Sequence, residues 1–195
     1  MPSYIHAIGT AVPEAALSTE RAAELFPGIC PDARTARRMA KLIPHTGIRR
    51  RHFAAMETQS EFDDPEGLYR LASVQPNGPG MNARSQAFDA AADRLVARLL
   101  HGLEGDDLAK VASLITVSCT HASSPGLELA VFRRSAVPHD VDRWNLGFMG
   151  CSAALAALRM ARLSASPSTL VVACELSSLH FQYSADLDQL TANLL

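Results

Sequence analysis

Apolar and polar positions follow two different periods along the chain, and these periods predict both helices and strands. Apolar residues recur at steps of three and four over 88–103, which predicts an amphipathic helix that ends near Gly102. The segments 111–118 and 170–176 are nearly continuous apolar runs rich in β-branched residues, as is typical of strands covered on both faces. The chain is therefore predicted to have an α/β fold: a layered, mostly parallel sheet with helices on both faces.

Weaker patterns predict the remaining elements. Residues 4–11 are expected to form a strand, and 18–26 and 34–41 two short helices. The loop 75–80 is too short to link domains, so we expect 1–195 to form one domain. Residues 152–163 are rich in Ala and apolar nearly all round, which predicts a helix buried in the middle of the molecule.

Composition and charge exclude several classes of partner. The chain has 195 residues, 48% of them hydrophobic, and a formal charge of −2, so nucleic acid and membrane are not expected as partners. No apolar run reaches the roughly 18 residues of a membrane helix, and no leader pattern opens the sequence, so we expect a cytoplasmic protein. The four cysteines are widely spaced, which predicts neither a metal site nor a disulfide framework.

The most distinctive local pattern surrounds Cys151. Residues 145–154 read Asn-Leu-Gly-Phe-Met-Gly-Cys-Ser-Ala-Ala, a strand that passes through glycines into a helix with Cys at the turn. Glycines allow a tight turn and a close approach of substrate, and the helix N-terminus offers N–H groups for an oxyanion. Cys151 is thus a candidate nucleophile, with a buried inert thiol as the alternative.

Several segments together resemble the N-terminal half of a type III polyketide synthase, the chalcone-synthase-like branch of the thiolase fold. In chain order, the motifs that carry the resemblance are Tyr-Ile-His-Ala-Ile-Gly-Thr-Ala-Val-Pro at 4–13, Thr-Gly-Ile-Arg-Arg-Arg-His at 46–52, Val-Ser-Cys-Thr at 117–120 with Pro-Gly at 125–126, Gly-Phe-Met-Gly-Cys-Ser-Ala-Ala at 147–154 and Cys-Glu-Leu-Ser-Ser-Leu-His-Phe at 174–181. The resemblance implies one thiolase-like half as the fold.

The resemblance also implies a reaction. Cys151 would accept an acyl group from a coenzyme A ester, and malonyl-CoA would be decarboxylated and condensed onto it. Coenzyme A thioesters would be substrates, and neither a cofactor nor a metal is implied. In the family a His and an Asn from the C-terminal half complete the catalytic site.

Two further groups of residues fall on family positions. The family's coenzyme A clamp falls on Arg38, Lys41 and His45, and the three-residue step between the first two places them on one helix face. A solvated basic helix is the alternative. The family's cavity-lining positions fall on four other residues: Cys119, Thr120, Ser177 and His180. Plain packing at a strand end remains the alternative for Cys119.

The sequence ends just before the place where the family has a Phe-x-Asp-Gly-Ala-Ala strand, so the last strand of the first half and the C-terminal domain are not in it. We therefore expect one subunit of a split synthase, completed by a second polypeptide in a hetero-oligomer with a dimeric core. Two alternatives stay open. One is a non-catalytic acyl-CoA-binding or regulatory module, and the other is a thioester hydrolase that uses His121 or His180 as its base.

Overall fold

The computed structural model describes residues 3–30, 32–55, 67–69, 77–103, 105–184 and 186–194. The elements in chain order are β1 Ala16–Ser18, α1 Thr19–Leu25, α2 Ala33–Leu42, β2 Arg50–His52, α3 Met81–His101, α4 Gly105–Leu108, β3 Ser113–Val117, α5 Glu128–Arg134, β4 Asp142–Leu146, α6 Ala153–Leu163, β5 Thr169–Ala173 and α7 Leu187–Leu194. Short 3₁₀ turns lie at Phe26–Ile29, Ile43–Thr46, Gly150–Ser152 and Ser177–His180. None of the helices in these ranges is long and apolar enough to cross a membrane.

The chain divides into two compact units. The sheet unit comprises Met1–Val12 and Asp89–Glu175, and the hairpin unit comprises Pro13–Phe88 and Leu176–Leu195. The sheet unit contains the parallel strands and the helix after Cys151, whereas the hairpin unit contains α1, α2 and the antiparallel pair β1 and β2.

The sheet unit confirms the predicted α/β fold. Its described strands form a parallel sheet in the order β4, β3, β5, with Ile115 of the central strand opposite Trp144 on one side and Val171 on the other. Every residue of β3 is buried, as the continuous apolar run predicted. The parallel arrangement places the carboxyl ends of all three strands at one edge, where chemistry-bearing loops collect.

Helix α6 forms where predicted, but the expectation that it lies buried in the middle of the molecule is wrong for the described chain. Ala153 and Ala157 pack against the β3 face that carries Ile115 and Val117. Three leucines are exposed on the same helix: Leu155, Leu158 and Leu163. Small Ala side chains let the helix approach the sheet closely, and nothing in the described ranges covers its other apolar side.

The predicted strand over 4–11 is also wrong. The segment is described without regular structure, and the side chains of Tyr4, Ile5 and Ile8 are 74%, 69% and 80% exposed. A strand needs a neighbouring backbone to complete its hydrogen bonds. None of the described strands pairs with this segment, so its apolar character alone does not produce a strand.

The hairpin unit confirms the two predicted short helices. Ser18 caps α1 by accepting from the amide of Arg21 at 3.2 Å. Asp32 caps α2, because its Oδ1 accepts from the amide of Thr35 at 2.8 Å. The aromatic and aliphatic core of this unit includes Leu17, Phe26, Met39, Ile43, Phe53, Tyr69 and Phe181.

Helix α3 is longer than its apolar pattern predicted. The predicted end near Gly102 is confirmed, since α3 ends at His101, but the helix begins at Met81 rather than near Phe88. The first turns carry exposed Met81 and Asn82, so their sequence lacks the apolar stripe that identified the rest of the helix.

The predicted loop 75–80 is described only in part. Residues 75 and 76 lie outside the described residues, and Asn77 to Gly80 are non-helical.

Candidate active site

The turn that carries Cys151 connects the end of β4 to the start of α6. Gly150 has a φ of 71°, in the left-handed region that glycine adopts without steric cost, and Phe148 occupies the same region with a φ of 59°. A non-glycine residue in that conformation costs of order 1 kcal/mol. This strained turn leaves Cys151 exposed immediately before the helix.

The start of α6 supplies polar groups beside this thiol. The first N–H groups of a helix have no acceptor within the helix and point towards its N-terminus. Ser152, the residue that precedes the helix, makes no side-chain capping bond to them. The 3₁₀ turn Gly150–Ser152 runs directly into α6, and the first amide of α6, that of Ala153, already donates to the carbonyl of Gly150. The positive end of the helix dipole lies at this turn, and it favours the negative charge of an oxyanion beside Cys151.

Cys119 and Thr120 lie just beyond β3, at the same edge of the sheet. The carboxylate of Glu175, which follows β5, accepts from the amide of Cys119 at 2.8 Å and from the amide of Thr120 at 3.1 Å. It also accepts from the hydroxyl of Thr120 at 2.8 Å. One carboxylate thus joins the ends of two neighbouring strands.

The thiol of Cys119 reaches the nucleophile turn. Its Sγ lies 3.7 Å from the carbonyl oxygen of Gly150, the residue before Cys151. Cys119 and Thr120 are both half-buried. The structure therefore brings one predicted cavity residue, Cys119, into contact with the residue that precedes the predicted nucleophile.

The other two predicted cavity residues, Ser177 and His180, begin and end a 3₁₀ turn in the hairpin unit, and both are exposed. The turn between them is held in place by the hydroxyl of Tyr69, which donates to the carbonyl of Ser178 at 2.7 Å. Arg84 donates to the carbonyls of the next positions, Leu179 and Phe181. Their predicted role in lining a cavity stays a prediction.

The predicted coenzyme A clamp also lies in the hairpin unit. Arg38 and Lys41 are exposed on α2, whereas Thr35 and Met39 on the same helix are buried. His45 follows in a 3₁₀ turn, where its Nδ1 lies 2.7 Å from the carbonyl oxygen of Lys41. The three side chains therefore lie on one short, solvent-facing stretch whose positive charge suits a phosphate.

Two of the remaining cysteines are poor nucleophiles. Burial raises the pKa of Cys174 to about 12, and the neighbouring Glu175 carboxylate adds to the effect. Burial and the carboxylate of Asp32 raise the pKa of Cys30 to about 11. Both thiols stay protonated near neutral pH, which agrees with a packing role.

Sequence reasoning did not select Glu175 or Arg84 as functional residues. The signal for Glu175 is a single acidic residue directly after an apolar strand, at the edge where site loops collect. Arg84 lies in an amphipathic helix and has no comparable local signal. Only the fold shows that its guanidinium is buried among carbonyl groups.

Comparison with known proteins identifies the family. Residues 2–193 match the model of the chalcone and stilbene synthases, N-terminal domain. Type III polyketide synthase 21 of Oryza sativa subsp. japonica is 29% identical over 186 residues, which are 90% of this chain and 46% of the rice protein. Probable polyketide synthase 1 of Dictyostelium discoideum is 24% identical over 196 residues, which are 98% of this chain and 6% of that protein.

A solved structure agrees with the fold. The crystal structure of PKS-I from the brown alga Ectocarpus siliculosus superimposes with a TM-score of 0.80 and 22% identity, over 96% of this chain and 51% of the algal chain. The chain thus spans about half the length of this protein and of its rice relative. It belongs to the chalcone and stilbene synthase family, whose N-terminal domain it matches along nearly its whole length.

Proposed function

We propose that this chain is the nucleophile-bearing half of a type III polyketide synthase and that Cys151 accepts an acyl group from an acyl-CoA thioester. The observation that carries the proposal is the exposed thiol in a strained glycine turn directly before α6, in a chain of this family. The half-buried Cys30 and the buried Cys174, whose pKa values are raised, are unsuited to that role.

The proposed acylation is an exchange of thioesters. The Cys151 thiolate attacks the acyl-CoA carbonyl, and the positive end of the helix dipole at the start of α6 stabilises the oxyanion. Collapse of the tetrahedral intermediate breaks the bond to coenzyme A, whose sulfur leaves as a thiolate and takes up a proton. The acyl group remains a thioester, so it stays activated for carbon-carbon bond formation.

The proposed condensation needs groups beyond those described. Malonyl-CoA loses CO₂, and the resulting enolate attacks the acyl carbonyl and releases the Cys151 thiolate. In the family a His and an Asn of the C-terminal half stabilise that enolate. We propose that a second polypeptide bearing them packs on this chain, in a hetero-oligomer with a dimeric core. The exposed leucines of α6 support this, because large apolar side chains gathered on one exposed helix are typical of an interaction site.

Acylation is tested by intact-mass analysis after incubation with an acyl-CoA. We expect one added acyl mass in the unmodified protein and none in Cys151→Ala. Cys30→Ala is the matched control, since Cys30 is a half-buried thiol with a raised pKa, and it should be acylated normally. Equal acylation of Cys151→Ala and the unmodified protein would refute the proposal.

The condensation step is tested separately, by malonyl-CoA decarboxylation. We expect no decarboxylation by the 195-residue chain alone and measurable decarboxylation when a type III C-terminal domain is co-expressed as a separate protein. Cys151→Ala in the complex should lose condensation. Full condensing activity of the isolated chain would contradict the need for a second polypeptide.

Arg38, Lys41 and His45 are proposed to bind the phosphates of coenzyme A. A charge-assisted hydrogen bond contributes about 1.5 to 3 kcal/mol, so Arg38→Ala should raise the acyl-CoA dissociation constant about tenfold or more. Arg21→Ala is the matched control, because Arg21 is an exposed arginine on the neighbouring helix α1 that contacts Glu24. Equal effects of the two substitutions on affinity would refute the clamp.

A further inference from the structure

The ends of β3 and β5 are joined by more than the strand ladder. The ladder continues one residue past both strands, since the amide of Cys174 donates to the carbonyl of Val117 at 3.0 Å. Directly beyond it, the carboxylate of Glu175 accepts from both Cys119 and Thr120. Glu175 thus adds side-chain hydrogen bonds between the two strand ends, at the edge of the sheet where Cys151 lies.

The chemistry of these contacts requires a carboxylate. Oε1 accepts from the Cys119 amide, and Oε2 accepts from both the amide and the hydroxyl of Thr120. An ionised carboxylate has acceptors on both oxygens, whereas a glutamine has one acceptor oxygen and a donor NH₂ group. With glutamine at this position, the side-chain NH₂ group would lie opposite a backbone N–H. Both groups are donors, so no hydrogen bond could form between them.

The contacts continue from Glu175 to the nucleophile turn. Cys119 is held through its amide by Glu175, and its thiol meets the carbonyl of Gly150 at 3.7 Å. Gly150 has a positive φ and directly precedes Cys151 in the same 3₁₀ turn. A shift of Cys119 would therefore remove a contact from the peptide group between Gly150 and Cys151, whose orientation sets the direction in which the Cys151 side chain points.

We propose that Glu175 is a positioning residue for Cys151, acting through the backbone of Cys119 and Thr120 and the contact between Cys119 and Gly150. The proposal rests on the proposed function of Cys151, which it extends by one residue. Glu175 need not touch the reacting atoms. A misplacement of about 1 Å at a reacting group lowers a rate by up to about a hundredfold, so the alignment of this turn matters for acylation.

The structural part of the proposal is tested without any acyl transfer. In Glu175→Gln, amide hydrogen exchange at Cys119 and Thr120 should become about tenfold faster or more, because the charge-assisted acceptor is lost. Glu128→Gln is the matched control: Glu128 likewise accepts from a backbone amide, that of Gly126 at 3.0 Å. That control should leave exchange at Cys119 and Thr120 unchanged.

The positioning part is tested by acylation kinetics of the same two variants. Glu175→Gln should lower the maximal rate constant for acylation of Cys151 about tenfold and leave the half-saturating acyl-CoA concentration unchanged. Glu128→Gln should change neither quantity. A loss of stability alone would instead lower the amount of folded protein, which is measured in parallel by circular dichroism.

The outcomes separate this proposal from the proposed function. Faster amide exchange with an unchanged acylation rate constant would overturn the positioning role, and unchanged exchange would overturn the contacts themselves. If the unmodified protein is not acylated at all, the proposed function fails. In that case amide exchange still tests the contacts of Glu175, whereas a positioning role for acylation is overturned.

Discussion

Nε2 of His121 lies 3.0 Å from Oδ1 of Asp89, and the histidine side chain is 6% exposed while the aspartate side chain is 65% exposed. A general base for thioester hydrolysis must reach a water molecule beside the acyl group. The imidazole of His121 is enclosed instead and contacts a carboxylate on α3. This contact favours a structural role for His121 over a role as the general base of a thioester hydrolase.

His121→Gln should therefore leave the hydrolysis rate of acylated Cys151 unchanged within about twofold. The rate is measured by the loss of the acyl adduct with time, using intact-mass analysis of samples adjusted to equal folded concentration. A fall of about a hundredfold, the usual contribution of a general base, would favour a thioester hydrolase instead.

The four cysteines should differ strongly in alkylation by iodoacetamide at about pH 8. Cys151 is exposed and should react first, whereas Cys30 and Cys174 should react only after unfolding, since their raised pKa values keep them as thiols. Peptide mapping of a time course measures each site. Early modification of Cys174 would contradict the described burial.

From the raised pKa values of the same two thiols, we expect the free energy of unfolding to fall in alkali. Their folded-state pKa values, about 11 for Cys30 and about 12 for Cys174, lie above the ordinary value of 9.0. Protonated thiols therefore stabilise the fold fully below about pH 9, and this contribution is lost as the pH rises through the folded-state values. Cys174→Ala should flatten the fall in the free energy of unfolding above about pH 9, as measured by urea denaturation.

The contact between Asp93 and Arg134 leads us to expect that the free energy of unfolding falls in acid. Hydrogen bonds from Arg134 hold the pKa of Asp93 below its ordinary value, so the ionised carboxylate stabilises the fold above about pH 4 and this contribution is lost as the pH falls further. Because the Arg134 side chain is 48% exposed, we expect only about 0.5 kcal/mol.

Asp93→Asn should therefore lower the free energy of unfolding at neutral pH and flatten its acid dependence. Asp107→Asn is the control, because the contact between Asp107 and Lys110 is 3.6 Å long and both side chains are 73% exposed. A larger effect at Asp107 than at Asp93 would contradict this interpretation.

Arg84 should contribute more to stability than any exposed arginine tested beside it. Arg84 is 8% exposed, and its guanidinium donates to the carbonyls of Pro79, Leu179 and Phe181. Arg84→Met leaves those carbonyls without their donor, which should lower the free energy of unfolding by about 2 to 4 kcal/mol. Arg98→Met, which removes an exposed donor, should cost less than about 1 kcal/mol, and equal costs in urea denaturation would contradict the prediction.

Substitutions on the buried side of α6 should destabilise the chain, whereas substitutions on its exposed side should not. Ala157 is completely buried, so Ala157→Leu should destabilise the chain by about 1 to 3 kcal/mol. Leu158 is 46% exposed, so Leu158→Gln should change stability by less than about 0.5 kcal/mol. Light scattering should show less self-association for Leu158→Gln, and unchanged association would argue against an interaction surface there.

Local chemistry predicts those elements whose determinants lie within a few residues. The short helix predicted over 18–26 forms as α1, and the β-branched runs identified β3 and β5. The segment 4–11 was also predicted as a strand, from a weaker pattern, but it has no partner strand among the described residues. Strand formation depends on such a partner, which a single segment of sequence does not reveal.

The same distinction applies to the candidate site. The glycines around Cys151 are adjacent in sequence, so the turn was recognisable before the fold was known. Glu175 acts on Cys119 and Thr120, which lie 56 and 55 positions away in the chain. Only the parallel register of β3 and β5 brings these residues together, so their relationship could not be read from spacing.

Locating the acyl group among the four thiols tests the central claim most directly. The protein is incubated with an acyl-CoA, digested under conditions that preserve thioesters, and analysed by tandem mass spectrometry. We predict that the acyl mass lies on the peptide containing Cys151 and not on those containing Cys30, Cys119 or Cys174. An acyl group on Cys119 with unmodified Cys151 would contradict the assignment of the nucleophile.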